Sequence, residues 1–349
     1  MRPHLLPEWH PQWGVMIAWP HDGTDWAPIL DAAERTYVAL ASAVLAHEQL
    51  LVLCRDSAHE THIRALLTEQ GADVSGLHMR AVPYNDTWAR DFGPITVAHT
   101  EAGPSGSSAP VEDGELVLLD FRFNGWGEKF AADADDAVNA RLDWRAPLQA
   151  VDLILEGGAI DTDGRGNLLT TRQCLLNPNR NPHLDQAGIE QQLRAALGVH
   201  NIWWLSHGHL EGDDTDAHID TLARFCDADT IAYVQCTDRT DSHYPALHAM
   251  EQELKTLAAQ ENLQLVPLPM TPPLFDDDGE RMPATYANFL IINGAVLVPT
   301  YHCETDEEAL RRLASVFPRH NVIGIDCRAL IAQHGSLHCV TMQLPEGVR

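Results

Sequence analysis

The sequence predicts an α/β fold. Short apolar runs of strand length alternate with amphipathic helical stretches along all 349 residues. Composition shifts abruptly nowhere, so a single catalytic domain spanning 1–349 is expected. Marked polar residues beside apolar runs recur at 91, 156, 218, 293 and 339, at intervals of 65, 62, 75 and 46 residues. Alternation alone indicates a doubly wound sheet. The recurrence favours a closed arrangement of five degenerate repeats, whose loops deliver the marked residues to one end of a common axis.

The elements follow in order. Alternating apolar residues at 14–19 predict a first strand, closed by Pro20. Thr24 or Asp25 is placed to cap a helix with Pro28 in its first turn, and apolar residues at 30, 33, 37, 40, 41, 44 and 45 give that helix one buried stripe. Strands are expected at 50–54 and 77–82, with a helix at 58–67 between them. A polar and aromatic loop at 83–94 precedes strands at 95–98 and 116–121, and 102–113 reads as an exposed loop. Acidic residues favour a helix at 133–142. A strand at 152–156 ends in Gly157-Gly158, where a chain or ligand can approach the backbone closely, and 168–171 is expected to pair with it. A helix at 185–197 and a strand at 202–205 lead to the polar loop 207–219. Strands at 230–234 and 263–268 bracket a helix at 243–259, and a Pro- and acid-rich stretch fills 269–283. Asn293-Gly294 joins 286–292 to 295–298 as a hairpin. A helix at 304–317 and strands at 322–325 and 337–342 complete the chain.

The formal net charge is −27, and Lys129 and Lys255 are the only lysines. Such a surface repels a phosphate backbone, so nucleic acid is excluded as a partner and a cationic small molecule is favoured. No apolar run reaches membrane-spanning length, so no membrane association is expected. The first ten residues carry no apolar core of a signal peptide. Seven cysteines, an odd number without a Cys-x-x-Cys pair, argue against a disulfide framework and for a reducing, cytoplasmic setting. A homodimer is compatible with the sequence.

Four stretches carry ionisable residues suited to chemistry. Cys339 lies beyond the glycine turn at Gly335, where a thiolate nucleophile or a small buried hydrophobe are the two readings. On a strand His338 would face away from Cys339, so it is not expected to be the base. His218 and Asp220 share a face if that segment is extended, and cluster at an N-terminus if Ile219 begins a helix; either way they suit proton transfer and cation binding, or a capping pair. Asp91 can bind a cation bidentately or pair with Arg90, and Glu156 can join either role or bond to backbone. A second chemistry would use His207, His209 and His218 as ligands of a metal-dependent hydrolase. No phosphate-binding glycine loop is present, so no nucleotide cofactor is indicated.

Taken together, the motifs 88–94, Glu156-Gly157-Gly158, 215–225 and 335–341, with Leu6-Pro7-Glu8-Trp9, Ala18-Trp19-Pro20-His21 and 123–127, resemble the agmatine deiminase family of guanidine-modifying enzymes. The resemblance spans essentially the whole chain. It implies a pentein-type, five-bladed α/β propeller with pseudo-five-fold symmetry, and neither metal nor organic cofactor. Cys339 matches the nucleophile, His218 the general acid and base, and Asp91 and Asp220 the guanidinium-binding carboxylates. Glu156 matches an active-site glutamate, and Trp88 lines the pocket. The implied activity is hydrolysis of agmatine to N-carbamoylputrescine and ammonia through a covalent Cys-amidino adduct, in polyamine biosynthesis. Arginine or peptidyl-arginine deimination and non-catalytic guanidinium binding are the alternatives. The chain departs from the family pattern at Ala217, where a glycine is usual, at His334-Gly335-Ser336-Leu337, and at Asp214, where a glutamate is frequent. Asp214 is a candidate contact for the substrate's distal amine.

Overall fold

The computed structural model describes residues 1–100 and 114–349. The loop expected at 102–113 lies outside the described residues. Seventeen strands form five separate sheets of four, three, three, three and four strands. Every sheet repeats one pattern: an antiparallel pair whose second strand takes a parallel neighbour on its other edge. Parallel neighbours require a crossover, and helices supply it in four of the five units. Leu30–Leu45, Gln186–Leu197, Tyr244–Glu261 and Asp306–Val316 each connect such a pair.

The exception is informative. The helix expected at 133–142 does not form; only a short 3-10 turn, Asn139–Arg141, is present. The polar side chains of this stretch bond elsewhere. Asp135 accepts the backbone N–H groups of Asn85 and Asp86, Asp136 accepts that of Phe123, and Asn139 donates to the Phe92 carbonyl. Short polar side chains that capture distant backbone compete with a helix.

Other expectations are corrected. The Leu30–Leu45 helix begins after a 3-10 turn, Ala27–Ile29, with no side-chain cap, while the Thr24 hydroxyl donates to the His21 carbonyl. Asn167–Thr171 pairs with Ile160–Thr162 and Asn201–Leu205, whereas Leu148–Ile154 pairs with Glu115–Arg122. A strand not expected from sequence, Arg2–Leu5, adds to Ile95–Thr100. The last strand, Met342–Pro345, pairs antiparallel with the second strand, Gln12–Ala18, in a sheet separate from that of Arg2–Leu5. Residues 337–341 are turn, not strand, and Cys339 lies in that turn. Among the described residues no helix is long and apolar enough to cross a membrane.

Candidate active site

One position recurs in all five units: the segment just before the first strand of the antiparallel pair. Asp91 precedes Ile95–Thr100, Glu156 and Gly158 precede Ile160–Thr162, and His218 and Asp220 precede Ala223–Asp227. Asn288 precedes Leu290–Ile292, and Cys339 precedes Met342–Pro345. The marked residues therefore lead into strands rather than follow them. In the fourth unit the residue at this place is Asn288, not Asn293, which instead bonds within the turn to Gln12.

The segments converge. The Cys339 thiol lies 3.4 Å from Asn288 Oδ1 and 3.9 Å from Asp220 Oδ2. The Asn288 amide oxygen also accepts the His338 N–H at 2.8 Å, which fixes the turn carrying the cysteine. His218 Nδ1 is 3.7 Å from Asp91 Oδ1. Gly158 explains the glycine pair: a Cβ there would stand 2.7 Å from His218 Nδ1, 2.9 Å from Asp91 Oδ1 and 3.1 Å from Asp220 Oδ2. Its N–H donates to Asp91 Oδ1 at 3.0 Å. A side chain at this position would separate the three groups.

Trp126 N–H donates to Asp91 Oδ2 at 2.8 Å. This indole is held by backbone in the left-handed region, with φ of 55° at Trp126 between Gly125 and Gly127 at 66° and 90°. Such a conformation is costly for a bulky residue and marks a constrained site. Trp88 is braced similarly: its indole N–H and that of Trp26 both donate to Asp86. Gly335 packs on the Trp88 ring, where a Cβ would meet it at 2.1 Å.

A pocket opens onto these groups. Its lining includes Trp88, Asp91, Asp214 and Cys339, with Trp126 and Phe130 as further aromatic wall. Asp25, Asp86 and His334 complete its rim. Four aspartates line it and, among the described residues, neither lysine nor arginine does. His218, Asp220 and Glu156 lie beneath the lining, fully buried.

Charge is unbalanced at this place. Burial pushes the Asp91 carboxyl up to about 6, against the pull of His218. Burial, and then Asp220 and Asp91, hold the Cys339 thiol well above its ordinary range. Burial alone would depress the His218 imidazolium, but Asp91, Cys174 and Glu156 outweigh it and lift it well above the usual histidine range. Among the described residues Asp220 Oδ1 and His218 Nε2 are buried without a hydrogen-bond partner. Unmade bonds of this kind are expensive unless something arrives to make them. A planar cation with N–H donors would satisfy the carboxylate oxygen.

Three expectations change. Glu156 is not free: both its oxygens accept the Nε–H of fully buried Arg180, at 2.8 and 3.0 Å. Arg180 also bonds Asp216 and the Thr215 carbonyl, so this pair anchors the loop that carries His218. Arg90 does not pair with Asp91; its guanidinium bonds Gln343 and Glu8. His207, His209 and His218 do not form a ligand set, because His207 pairs with Glu253 on the Tyr244–Glu261 helix while His209 stacks near His243. Among the described residues the grouping with ligand-like spacing is Glu156, Cys174 and His218, within 4.8 Å of one another, and its carboxylate is already taken by Arg180.

Sequence reasoning missed Asn288, Arg180 and Glu8. The repeat offered a signal for Asn288, since the fourth unit needed a polar residue before its strand. Arg180 left no local signal, and Glu8 stood in the motif Leu6-Pro7-Glu8-Trp9 without a role; each acts on partners more than twenty residues away.

A profile of the family described as Porphyromonas-type peptidyl-arginine deiminase matches residues 4–345. The chain belongs to that family. Curated relatives agree with it: an agmatine deiminase from Medicago truncatula is 32% identical, with 98% of this chain and 96% of that protein covered. One from Pseudomonas aeruginosa strain LESB58 is 31% identical over 97% of this chain and 94% of its own. Solved structures of the family superpose closely. A C. jejuni agmatine deiminase with substrate bound, a cysteine-to-serine variant, gives a TM-score of 0.88 at 38% identity, covering 99% of this chain and 97% of that one. A Porphyromonas gingivalis structure, provisionally described as an arginine deiminase, gives 0.90 at 48% identity, covering 99% of both. Family membership places the chain among hydrolases that modify guanidino groups.

Proposed function

We propose that this protein hydrolyses agmatine to N-carbamoylputrescine and ammonia, a reaction that leads toward a diamine. The names of its relatives divide between agmatine and arginine. The observation that carries the choice is the pocket lining, four aspartates with, among the described residues, no lysine or arginine. An α-carboxylate would enter this pocket without a partner and against like charge. A terminal ammonium would meet Asp214 and Asp25 among the lining residues. The five repeated units, with the last strand paired to Gln12–Ala18 near the start of the chain, support a closed five-bladed ring with the site at its centre.

The chemistry follows from the charges. In the free protein Cys339 is a thiol and His218 an imidazolium. A guanidinium entering between Asp91 and Asp220 supplies the positive charge that these carboxylates lack, and so makes the thiolate cheaper; the thiol proton leaves to solvent. Held close to the sulfur, the central carbon is attacked and a tetrahedral adduct forms. His218 gives its proton to one nitrogen, which departs as ammonia and leaves an amidino group on sulfur. The neutral imidazole then takes a proton from water as that water attacks the same carbon. Collapse of the second adduct breaks the C–S bond, the hydroxyl proton passes to the departing thiolate, and the urea product is freed with Cys339 again a thiol and His218 again an imidazolium.

Purified protein should release ammonia from agmatine with kcat/KM at least about a hundredfold above that for arginine or an arginyl peptide, since an unpaired carboxylate in an acidic site costs several kcal/mol. Equal or better turnover of arginine would overturn the assignment.

A further inference from the structure

Cys339 and His338 are neighbours in sequence, yet they line different cavities. Cys339 faces the acidic pocket. His338 faces a second cavity, with Glu8, Arg90 and Arg224, that shares no lining residue with the first. Between the two cavities stands Asp220. Its Oδ2 lies 2.7 Å from His338 Nδ1, and its Oδ1 is buried without a partner among the described residues. The other ring nitrogen, Nε2, lies 2.6 Å from Glu8 Oε2.

We propose that His338 is a positioning residue, an imidazolium clamped between Glu8 and Asp220 that keeps Asp220 ionised and oriented for the guanidinium. The geometry requires both ring protons. An ionised carboxylate only accepts, so a ring nitrogen facing one must donate, and here both nitrogens face carboxylates. Burial would raise Glu8, but Arg224, His338 and Arg90 hold it far below the usual range. Burial would likewise raise Asp220, but the His338 hydrogen bond and charge, then His218 and Arg224, bring it down.

The groups around the ring explain why it stays in place. Glu8 comes from the segment before Gln12–Ala18 and is itself held by Arg224 at 3.0 Å, Arg90 at 3.3 Å and the Ile291 N–H at 2.7 Å. Arg224, on Ala223–Asp227, is in turn paired with Asp161 at 3.1 Å. Asp220 comes from the turn Ile219–Thr221, with Cys339 on its other flank at 3.9 Å. The imidazole therefore holds Oδ2, the oxygen of Asp220 nearest the Cys339 thiol, and sets the orientation of the carboxylate at the site.

This inference rests on the reading that Asp220 binds a guanidinium, so it is tested by binding rather than turnover. Ammonia release by the wild-type protein is measured first, and its absence with agmatine counts against the proposed activity alone. Agmatine binding to the Cys339→Ala protein is then measured by calorimetry at pH 8 and pH 5.5, with His338 intact and with His338→Gln. Glutamine keeps a donor but no charge, so Asp220 should take up a proton at higher pH. The ratio of affinities at the two pH values should grow, because loss of the His338 charge leaves burial to push the Asp220 carboxyl up, and each pH unit below such a carboxyl's midpoint costs about tenfold in its ionised form. A uniform loss at both pH values, or no change, would overturn the proposal. Should His338→Gln fail to fold, ring 15N spectra of the His218→Asn protein at neutral pH decide the matter. A solvent-protected ring with both nitrogens protonated is expected, and its absence would overturn the clamp.

Discussion

The two cavities on either side of Asp220 handle charge in opposite ways. Around His338 each charge meets its counterpart: Glu8 binds Arg90, Arg224 and His338, and Arg224 binds Asp161. Around Cys339 the carboxylates outnumber their partners. Asp91 is pushed up to about 6, Asp220 Oδ1 has no donor among the described residues, and the thiol is held neutral. The paired side is a scaffold whose components satisfy one another. The unpaired side is destabilised until a cation completes it, which is how a site binds one charge type selectively and changes its own protonation on doing so.

That contrast can be broken at several points. Cys339→Ala removes the nucleophile but adds no charge, so turnover should fall by roughly 10⁴-fold or more while agmatine still binds. Steady-state and calorimetric measurements on one preparation check both halves, and retained turnover would remove Cys339 from the mechanism. Gly158→Ala places a methyl among His218, Asp91 and Asp220, and kcat should fall by about 10²-fold with the fold preserved by circular dichroism. Acid sharpens the comparison from the unpaired side. As pH falls through about 6, Asp91 gains a proton and loses its pull on a cation. The value of kcat/KM should then drop about tenfold per pH unit, and a profile flat from pH 7 to pH 5 would exclude Asp91 as the cation's partner. The smallest effect expected is a gain. Ala217 holds φ of 63°, so Ala217→Gly should stabilise the fold by about 1 kcal/mol, read as a higher denaturation midpoint.

Ala217 also shows what the sequence could and could not convey. Its departure from the glycine usual in the family was visible in the letters, but the reason, a left-handed residue next to His218, appears only in the backbone. His334 is a second instance, at φ of 67°, with its ring nitrogen 2.9 Å from the Gly212 carbonyl. Asp91, His218, Asp220 and Cys339 were legible because each lies in a dense polar motif beside an apolar run. The pairing of Glu156 was not visible because its partner, Arg180, is twenty-four residues on and carries no mark of its own. The expected strand through Cys339 was wrong in form. Apolar alternation at 337–342 satisfies a strand period, yet Asn288 bonds the turn there and the ladder begins at Met342. The separation of His338 from Cys339 survived that error, because the turn also directs them into different cavities.

By itself the sequence determined the repeated unit, the family, and the residue types that meet at the site. These are written locally, in hydrophobic period and in short motifs. Only the tertiary structure decided which charges are paired. Glu8 is more than three hundred residues from His338, and Arg180 reaches Asp216 across thirty-six. Whether a buried carboxylate is a scaffold or a binding group depends on whether a distant chain segment brings it a donor, and Asp220 has one oxygen of each kind.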